Sequence, residues 1–316
     1  MNNPTFEQPK RTFLDQEFVR AADVKMGDIV IVGAGHGSPY LGLGDVKYDT
    51  ETLSAGAPEA IRSGANESSS NIDHYDFDLG GPLLADNRKR LVDCGNLVLS
   101  KTDGADNRKD IHDATSAILS EGGTPILLGG DDSVPIPFLE AYKDHGPVDV
   151  LQIDAHIDWR DAIDGEQKGY SSTMIRASEN PFVRSITQIG MRGVGSARLA
   201  EVEKAQNWGA RLIPVREVRN IGTQGVIDMI PEGGNLVIQI DCDAFDTSVC
   251  PAVNAPTPGG FQFEELAEIL RSVIAARKTV GFSIVELVPS LDFNKASAIA
   301  AARITCNVIG SLAKTK

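Results

Sequence analysis

The residues best able to do chemistry follow an apolar run near the middle of the chain. Asp154, His156 and Asp158 stand at alternate positions directly after Val148–Ile153. In an extended chain, residues two apart share a face, so these three side chains can converge on one point. Carboxylate oxygens and an imidazole nitrogen are ligands of divalent metal ions. The pattern therefore indicates a metal site at the end of a strand.

A second apolar run ends in the same way, with Asp241 and Asp243 at alternate positions after residues 236–240. One such Asp-x-Asp pair is more often a helix cap or a solvated loop. Two copies favour a metal site, because buried carboxylates without a cation are costly. Side by side, the two strand ends would supply five ligands, more than one ion needs. We therefore predict a two-metal hydrolytic site, in which paired ions share and activate a water molecule.

Two more strand ends carry acidic residues. The segment 129–133 reads Gly-Gly-Asp-Asp-Ser, and either Asp131 or Asp132 can point into the same crevice. Alternatively, Asp132 or Ser133 caps the helix that is expected to begin near residue 135. Glu286 ends a further apolar strand, where its carboxylate can anchor a cationic group or form a structural ion pair.

Strand-like and helix-like segments alternate regularly from about residue 92. This pattern predicts a mostly parallel sheet with helices on both faces, and such sheets bind ligands at the carboxyl ends of their strands. Residues 1–25 are expected to form an N-terminal arm, and 26–316 a single domain. The strands are predicted near 28–32, 96–99, 124–129, 148–154, 185–190, 211–214, 235–241 and 279–286.

Composition limits the classes of partner. The net charge of −14 argues against nucleic acid and anionic membranes, and no apolar run has the length of a membrane span. The four cysteines show no paired spacing, and the N-terminal residues do not resemble a secretory signal, so we expect a cytoplasmic protein. The glycine-rich turn at 33–37 lacks the spacing of a dinucleotide site.

The acidic motifs, taken in order, resemble those of the ureohydrolase (arginase–agmatinase) family. They are Gly129–Ser133, Asp154–Asp158, Asp241–Gly260 and the strand ending in Glu286. The resemblance implies a three-layer α/β/α fold around an eight-stranded, mostly parallel sheet. It also implies two divalent ions, manganese or nickel, a small guanidino-type substrate, and a homo- or hetero-oligomer, either a trimer or a hexamer.

The resemblance also assigns roles to single residues. A metal-bound hydroxide would attack the guanidinium carbon, Asp158 would carry its proton to the leaving amine, and Glu286 would pair with the guanidinium. Asp246 would support the ligands. The implied ligands are Asp132, Asp154, Asp158 and Asp241 for one ion, and His156, Asp154, Asp241 and Asp243 for the other.

The chain departs from the family pattern at two histidines. Asp132 stands where the first metal ligand is His, and Ser171 stands where a His of the active-site loop is expected. From this position Ser171 is predicted to contact substrate. Trp159 and Arg160 would reshape the pocket, with Arg160 able to pair with a substrate carboxylate. One interpretation is an active amidinohydrolase with a changed substrate, such as a guanidine, a biguanide or an acylated guanidino compound. The alternatives are a weakly active or non-catalytic subunit of a heteromeric ureohydrolase, and a metal-dependent binding protein without turnover.

Overall fold

A single sheet organises the part of the chain that the computed structural model describes, which is residues 4–38, 53–84, 89–100, 103–194 and 197–315. The strands are β1 (Phe6–Glu7), β2 (Glu17–Phe18), β3 (Ile29–Ala34), β4 (Leu91–Leu97), β5 (Thr124–Gly129), β6 (Val148–Ile153), β7 (Val183–Ile189), β8 (Arg211–Ile213), β9 (Asn235–Asp241) and β10 (Thr279–Val285). Their order in the sheet is β1-β4-β3-β5-β10-β9-β6-β7-β8, with β2 paired to β4.

The eight strands from β3 to β10 pair in parallel, which confirms the predicted sheet. Two strands of two residues each, β1 and β2, extend it along β4, and of these β1 runs antiparallel. The helices are α1 (Ala57–Ser68), α2 (Gly104–Ser120), α3 (Pro135–Glu140), α4 (Thr173–Ser178), α5 (Leu199–Trp208), α6 (Val215–Met229), α7 (Phe263–Ala276) and α8 (Ala296–Lys314).

Helices cover both faces of the sheet. On β5, Ile126 and Leu128 pack into one buried cluster and Leu127 packs into the other, as the alternation of strand side chains requires. Helices α1, α6, α7 and α8 contribute to the first cluster, and α2, α3, α4 and α5 to the second. The predicted three-layer α/β/α architecture is therefore confirmed.

The order of the strands brings four strand ends together. Strands β5, β10, β9 and β6 are neighbours at the centre of the sheet, although β5 and β6 are consecutive in the chain. From β6 the chain continues to β7 on one side, and from the adjacent β9 it continues to β10 on the other side. Parallel sheets bind ligands where neighbouring strands lead in opposite directions in this way. The acidic motifs follow these four strands.

Two segments differ from the sequence-based expectation. Strand β4 covers Leu91–Leu97 rather than 96–99, because its polar residues Asp93 and Asn96 are buried against Arg62 of α1. Within the expected arm 1–25, whose residues 1–3 lie outside the described part, Phe13 is fully buried in the core. The domain boundary at residue 25 stays a prediction.

One helix meets the length and hydropathy of a membrane span among the described residues, where the sequence reading found no such run. It comprises Phe293–Lys314, which includes α8, and 83% of its most apolar window is buried inside the protein. Burial of this kind is typical of a core helix, and α8 indeed packs in the first cluster.

Candidate metal centre

The six predicted metal ligands lie together at the carboxyl edge of the sheet. Two groups of donor atoms form there, and the atoms of each group lie within 4.8 Å of one another. The first group is Asp132, Asp154 and Asp241, and the second is Asp154, His156 and Asp243. Asp154 belongs to both, so two ions held by these groups would be neighbours.

Short hydrogen bonds from backbone amides to aspartate side chains fix the conformation of the two strand ends. The His156 amide donates to Asp154 Oδ1 (2.6 Å), and the Asp243 amide donates to Asp241 Oδ1 (2.7 Å). In both turns an aspartate therefore accepts from the residue two positions later, as Asp side chains in turns commonly do. The turns are also joined to each other, because the Ala155 amide donates to Asp243 Oδ1 (3.1 Å).

His156 lies between two carboxylates. Its Nδ1 is 3.0 Å from Asp243 Oδ2 and 3.5 Å from Asp154 Oδ1. Burial disfavours the charged imidazolium, but the hydrogen bonds to Asp154 and Asp243 outweigh burial and raise the pKa of His156 to about 11. In the absence of a metal ion, the protonated form of His156 is thus favoured beside these carboxylates.

The carboxylates of the centre are held away from water and close to one another. Burial, and after it mutual repulsion, raises the pKa of each of these groups above its ordinary value. Their ionised forms therefore need a cation, which a divalent ion would provide. The groups are Asp132, Asp154, Asp158, Asp241 and Glu286.

Asp132 and Glu286 meet across β5 and β10. The Asp132 amide donates to Glu286 Oε1 (2.9 Å), and the Glu286 amide donates to the Gly130 carbonyl (2.8 Å). Asp131 does not join them: its Oδ2 accepts from the amide and the hydroxyl of Ser38, both at 2.6 Å. Of the two aspartates considered from the sequence, Asp132 is the one in the metal centre.

Asp158 lies beside the two groups rather than within either of them. Its Oδ2 accepts from Gln152 Nε2 (2.7 Å), and its carbonyl accepts from two amides in the first turn of α4. Asp158 (φ 52°) and Glu286 (φ 65°) both adopt the left-handed backbone region. Non-glycine residues in that region are uncommon and cluster at functional sites.

The residues fit divalent metal ions. Five aspartates and one histidine offer oxygen and nitrogen donors of the kind that manganese and nickel accept. One of these ligand oxygens is also available to a metal ion: Asp132 Oδ2 is buried and has no hydrogen-bond partner among the described residues. A buried carboxylate oxygen in that state is costly unless a cation binds it.

A model of the Arginase family matches residues 29–310. The chain belongs to the Arginase family. Over 293 residues it is 26% identical to proclavaminate amidinohydrolase from Streptomyces clavuligerus, and the match covers 91% of this chain and 88% of that protein. The solved structure of that relative covers 98% of this chain and 99% of its own, with a TM-score of 0.82 at 23% identity.

Other members are similar over different shares of the chain. The N(1)-aminopropylagmatine ureohydrolase of Thermus thermophilus is 30% identical over 195 residues, which are 61% of this chain but only 64% of that protein. The structure of Trypanosoma cruzi formiminoglutamase with Mn²⁺ has a TM-score of 0.81 at 17% identity, and covers 98% of this chain and 100% of its own. The resemblance inferred from the motifs is thus confirmed at the level of family and fold.

Two of the three predicted substrate-binding residues, Arg160 and Ser171, lie near Asp158; the third is Glu286. The Arg160 amide donates to the Ser171 carbonyl (3.1 Å), so the chain after β6 is joined to the segment before α4. Arg160 Nε is 3.4 Å from Glu201 Oε1 on α5, while Ser171 is buried. The prediction that both contact substrate stays a prediction.

Trp159 does not shape a pocket, contrary to the sequence-based expectation. Its side chain is 1% exposed, and its ring centroid lies 6.1 Å from that of Trp208 in the second core cluster. Asp246 binds Ser248 and the Gly259 amide in the loop after β9, and its role in supporting the ligands stays a prediction. These hydrogen bonds, first among them that of the Ser248 hydroxyl, lower the pKa of Asp246 to about 2.

Sequence reasoning missed four polar residues of the centre. Arg192 donates to the carbonyl groups of Asp243 (2.6 Å), Phe245 (3.0 Å) and Thr257 (2.6 Å), and so fixes the loop after β9. The other three are the glutamines that precede Ile at the ends of three strands. The repeated Gln-Ile pair was the available signal; Arg192 gave none, because its targets are backbone atoms.

Proposed function

We propose that this chain is a binuclear metal-dependent amidinohydrolase that cleaves a C–N bond of a guanidino or biguanide compound. The proposal is carried by the two ligand groups that share Asp154, because overlapping donor sets suit two neighbouring divalent ions. Asp132, Asp154 and Asp241 would hold one ion, and Asp154, His156 and Asp243 the other. Ions bound there supply Lewis acidity and lower the pKa of a coordinated water.

The residues around the ligands suit a guanidinium substrate. Glu286 is 8% exposed at the end of β10, where its carboxylate can bind a planar cation through two hydrogen bonds. Burial, followed by the charge of Asp154, raises the pKa of Asp158. This shift favours the protonated form of Asp158, which can deliver a proton to the leaving amine.

The class of substrate is proposed from the positive charge of Arg160. Arg160 and Ser171 lie close to Asp158 in the fold, and we propose that both contact substrate. The positive charge of Arg160 disfavours a second cationic group, which favours guanidine, a biguanide or an acylated guanidino compound over agmatine. A substrate carboxylate could compete with Glu201 for this arginine.

The second candidate is a weakly active or non-catalytic subunit of a hetero-oligomer, a trimer or a hexamer. It is favoured by the scarcity of imidazole at the centre. Among the described residues, His156 is the one histidine in either ligand group. Such a subunit would bind metal and assemble but would not release urea alone.

Metal content and urea release test both candidates. The purified protein is loaded separately with manganese and with nickel, and assayed with guanidine, metformin, agmatine, arginine, guanidinobutyrate and guanidinopropionate. We expect two ions per chain and turnover of one compound. Asp154→Asn should lose both ions, whereas Asp161→Asn, at a carboxylate that is 62% exposed, should retain them. Two ions without turnover would instead support the non-catalytic subunit, and a wild-type protein without metal would refute the binuclear proposal.

A further inference from the structure

Three glutamines form a row across the sheet, directly beneath the carboxylates. Gln152 of β6 is paired in register with Gln188 of β7 on one side and with Gln239 of β9 on the other. All three side chains are fully buried. The next residue of the row, Ser283 of β10, is paired with Gln239 and is also fully buried. A row of polar side chains in a sheet core needs partners, since unpaired buried amides are costly.

The hydrogen bonds of this glutamine row run toward the metal ligands. The Trp159 indole, which can only donate, binds Gln188 Oε1 (2.7 Å), and Gln188 Nε2 donates to Gln152 Oε1. Gln152 Nε2 then donates to Asp154 Oδ2 (2.8 Å) and to Asp158 Oδ2 (2.7 Å). Because one end is an obligate donor and the other end is a pair of acceptors, the orientation of each amide is determined.

Gln239 makes the corresponding contact on the other side of the row. Its Nε2 donates to Asp132 Oδ1 (2.5 Å). Asp132 Oδ2 is buried without a partner among the described residues. The amide therefore occupies one oxygen of this carboxylate and leaves the other one for a cation.

We infer that Gln239 is a positioning residue, which orients Asp132 so that its Oδ2 can bind the metal ion of the Asp132, Asp154 and Asp241 group. The inference rests on the proposed function, because it requires a metal ion at this group. It explains how an aspartate can act as a metal ligand at position 132. A carboxylate has two equivalent oxygens, and the amide binds Oδ1, so that Oδ2 is the one that can bind the ion. Groups that hydrogen-bond a metal ligand typically change metal affinity 10- to 100-fold.

A role in stability alone does not account for Gln239. Its Oε1 is buried and also lacks a partner among the described residues, so half of the amide is unsatisfied. An apolar side chain of the same length avoids that penalty. Gln239→Met removes that penalty but also takes the donor from Asp132 Oδ1, so its two effects on the stability of the metal-free protein oppose each other, while metal binding is weakened. A merely structural glutamine would instead change the stability of the metal-free protein and leave the metal affinity unchanged.

The test is a calorimetric titration of metal-free protein with manganese, together with metal content after gel filtration. We expect two ions for the wild type. In Gln239→Met, the affinity for one ion should fall about 10- to 100-fold, and the affinity for the other should stay unchanged. The control is Ser283→Ala, which alters the same row on the adjacent strand at a hydroxyl without a partner among the described residues, and should keep both affinities.

A double-mutant cycle with Asp132→Asn separates direct from indirect effects. If Gln239 acts through the carboxylate, Gln239→Met should add no further loss in the Asp132→Asn background. Equal affinities in the wild type and Gln239→Met, or the same loss with and without Asp132, would overturn the inference while the two-metal proposal stands. A wild type that binds no manganese or nickel would overturn both.

Discussion

Removal of metal should make this protein less stable as the pH rises from 5 to 7. The prediction follows from five buried carboxyl groups whose pKa values are raised, first by burial and then by one another. Such a group holds its proton to higher pH when folded than when unfolded. Its stabilising effect is complete below the unfolded pKa near 4, and it is lost as the pH rises toward the folded pKa.

His156 acts in the same direction at higher pH. Despite burial, hydrogen bonds to Asp154 and Asp243 raise its pKa to about 11, from 6.5. The stabilisation that it provides is complete below pH 6.5 and is lost as the pH rises toward about 11. The carboxyl groups and His156 thus both make the metal-free protein less stable as the pH rises.

The size of the effect follows from proton linkage. Each proton that the folded state holds in excess changes the free energy of unfolding by about 1.4 kcal/mol per pH unit, or roughly 2.7 kcal/mol between pH 5 and 7. A chain of 316 residues has an unfolding entropy of about 2.1 cal/mol/K per residue. One kcal/mol therefore shifts Tm by about 1.5 °C, and one excess proton lowers Tm by about 4 °C over this range.

Metal should reverse the trend. An ion at 100 times its Kd adds about 2.7 kcal/mol, so two ions raise Tm by roughly 8 °C. The gain should increase with pH, because metal and protons compete for the same oxygens. Scanning calorimetry of EDTA-treated and manganese-loaded protein measures both. Asp241→Asn is the control, since it removes one of the five carboxyl groups and should flatten the metal-free slope. A metal-free Tm that is constant or rising from pH 5 to 7 would refute the reasoning.

Three substitutions test other parts of the structure by urea unfolding. Arg192→Lys should cost about 2–3 kcal/mol and lower metal affinity about tenfold, because the carbonyl of Asp243 and its neighbours lose their shared donor; an unchanged titration with manganese would contradict this. Arg62→Met should cost about 3–5 kcal/mol, because Asp93 stays buried as an unpaired charge. Gly281→Ala should cost about 1–3 kcal/mol, since its Cβ would lie 1.8 Å from the hydroxyl oxygen of buried Tyr142. A wild-type urea midpoint for Arg62→Met or for Gly281→Ala would contradict the prediction for that variant.

The ligands were predictable because each of them is encoded locally. Alternating Asp and His after an apolar run gives both the strand and the shared face, and the carboxyl ends of parallel strands meet at one edge. Asp154, His156 and Asp243 accordingly form one group. Two predictions stay untested: that Asp158 joins Asp132, Asp154 and Asp241, and that Asp241 also joins the set of His156 and Asp243. The three-atom groups include Asp158 in neither and Asp241 only with Asp132 and Asp154.

What the sequence could not provide depends on partners far away in the chain. The sequence predicts the start of strand β4 too late in the chain, because Asp93 and Asn96 break its apolar pattern. Arg62, some thirty residues earlier, binds both side chains and helps to make their burial tolerable. The neighbours of Gln239 likewise depend on the strand order β10-β9-β6, which no local pattern encodes. Tertiary partners of this kind decide where polar residues can be buried.

Asp132 bears most directly on the choice between enzyme and non-catalytic subunit. A third carboxylate beside Asp154 and Asp241 raises the cost of the metal-free state, and each of these groups is 3% exposed or less. An uncharged residue at position 132 would relieve that repulsion. The side-chain amide of Gln239 donates to the carboxylate that now stands there. The arrangement makes physical sense when a cation binds the free oxygen of Asp132, and it is a liability when none does. The energetics of the site therefore favour metal binding, whereas turnover requires in addition that Glu286 and Asp158 act on a substrate. A chain that binds two ions without releasing urea would still be consistent with the surroundings of Asp132.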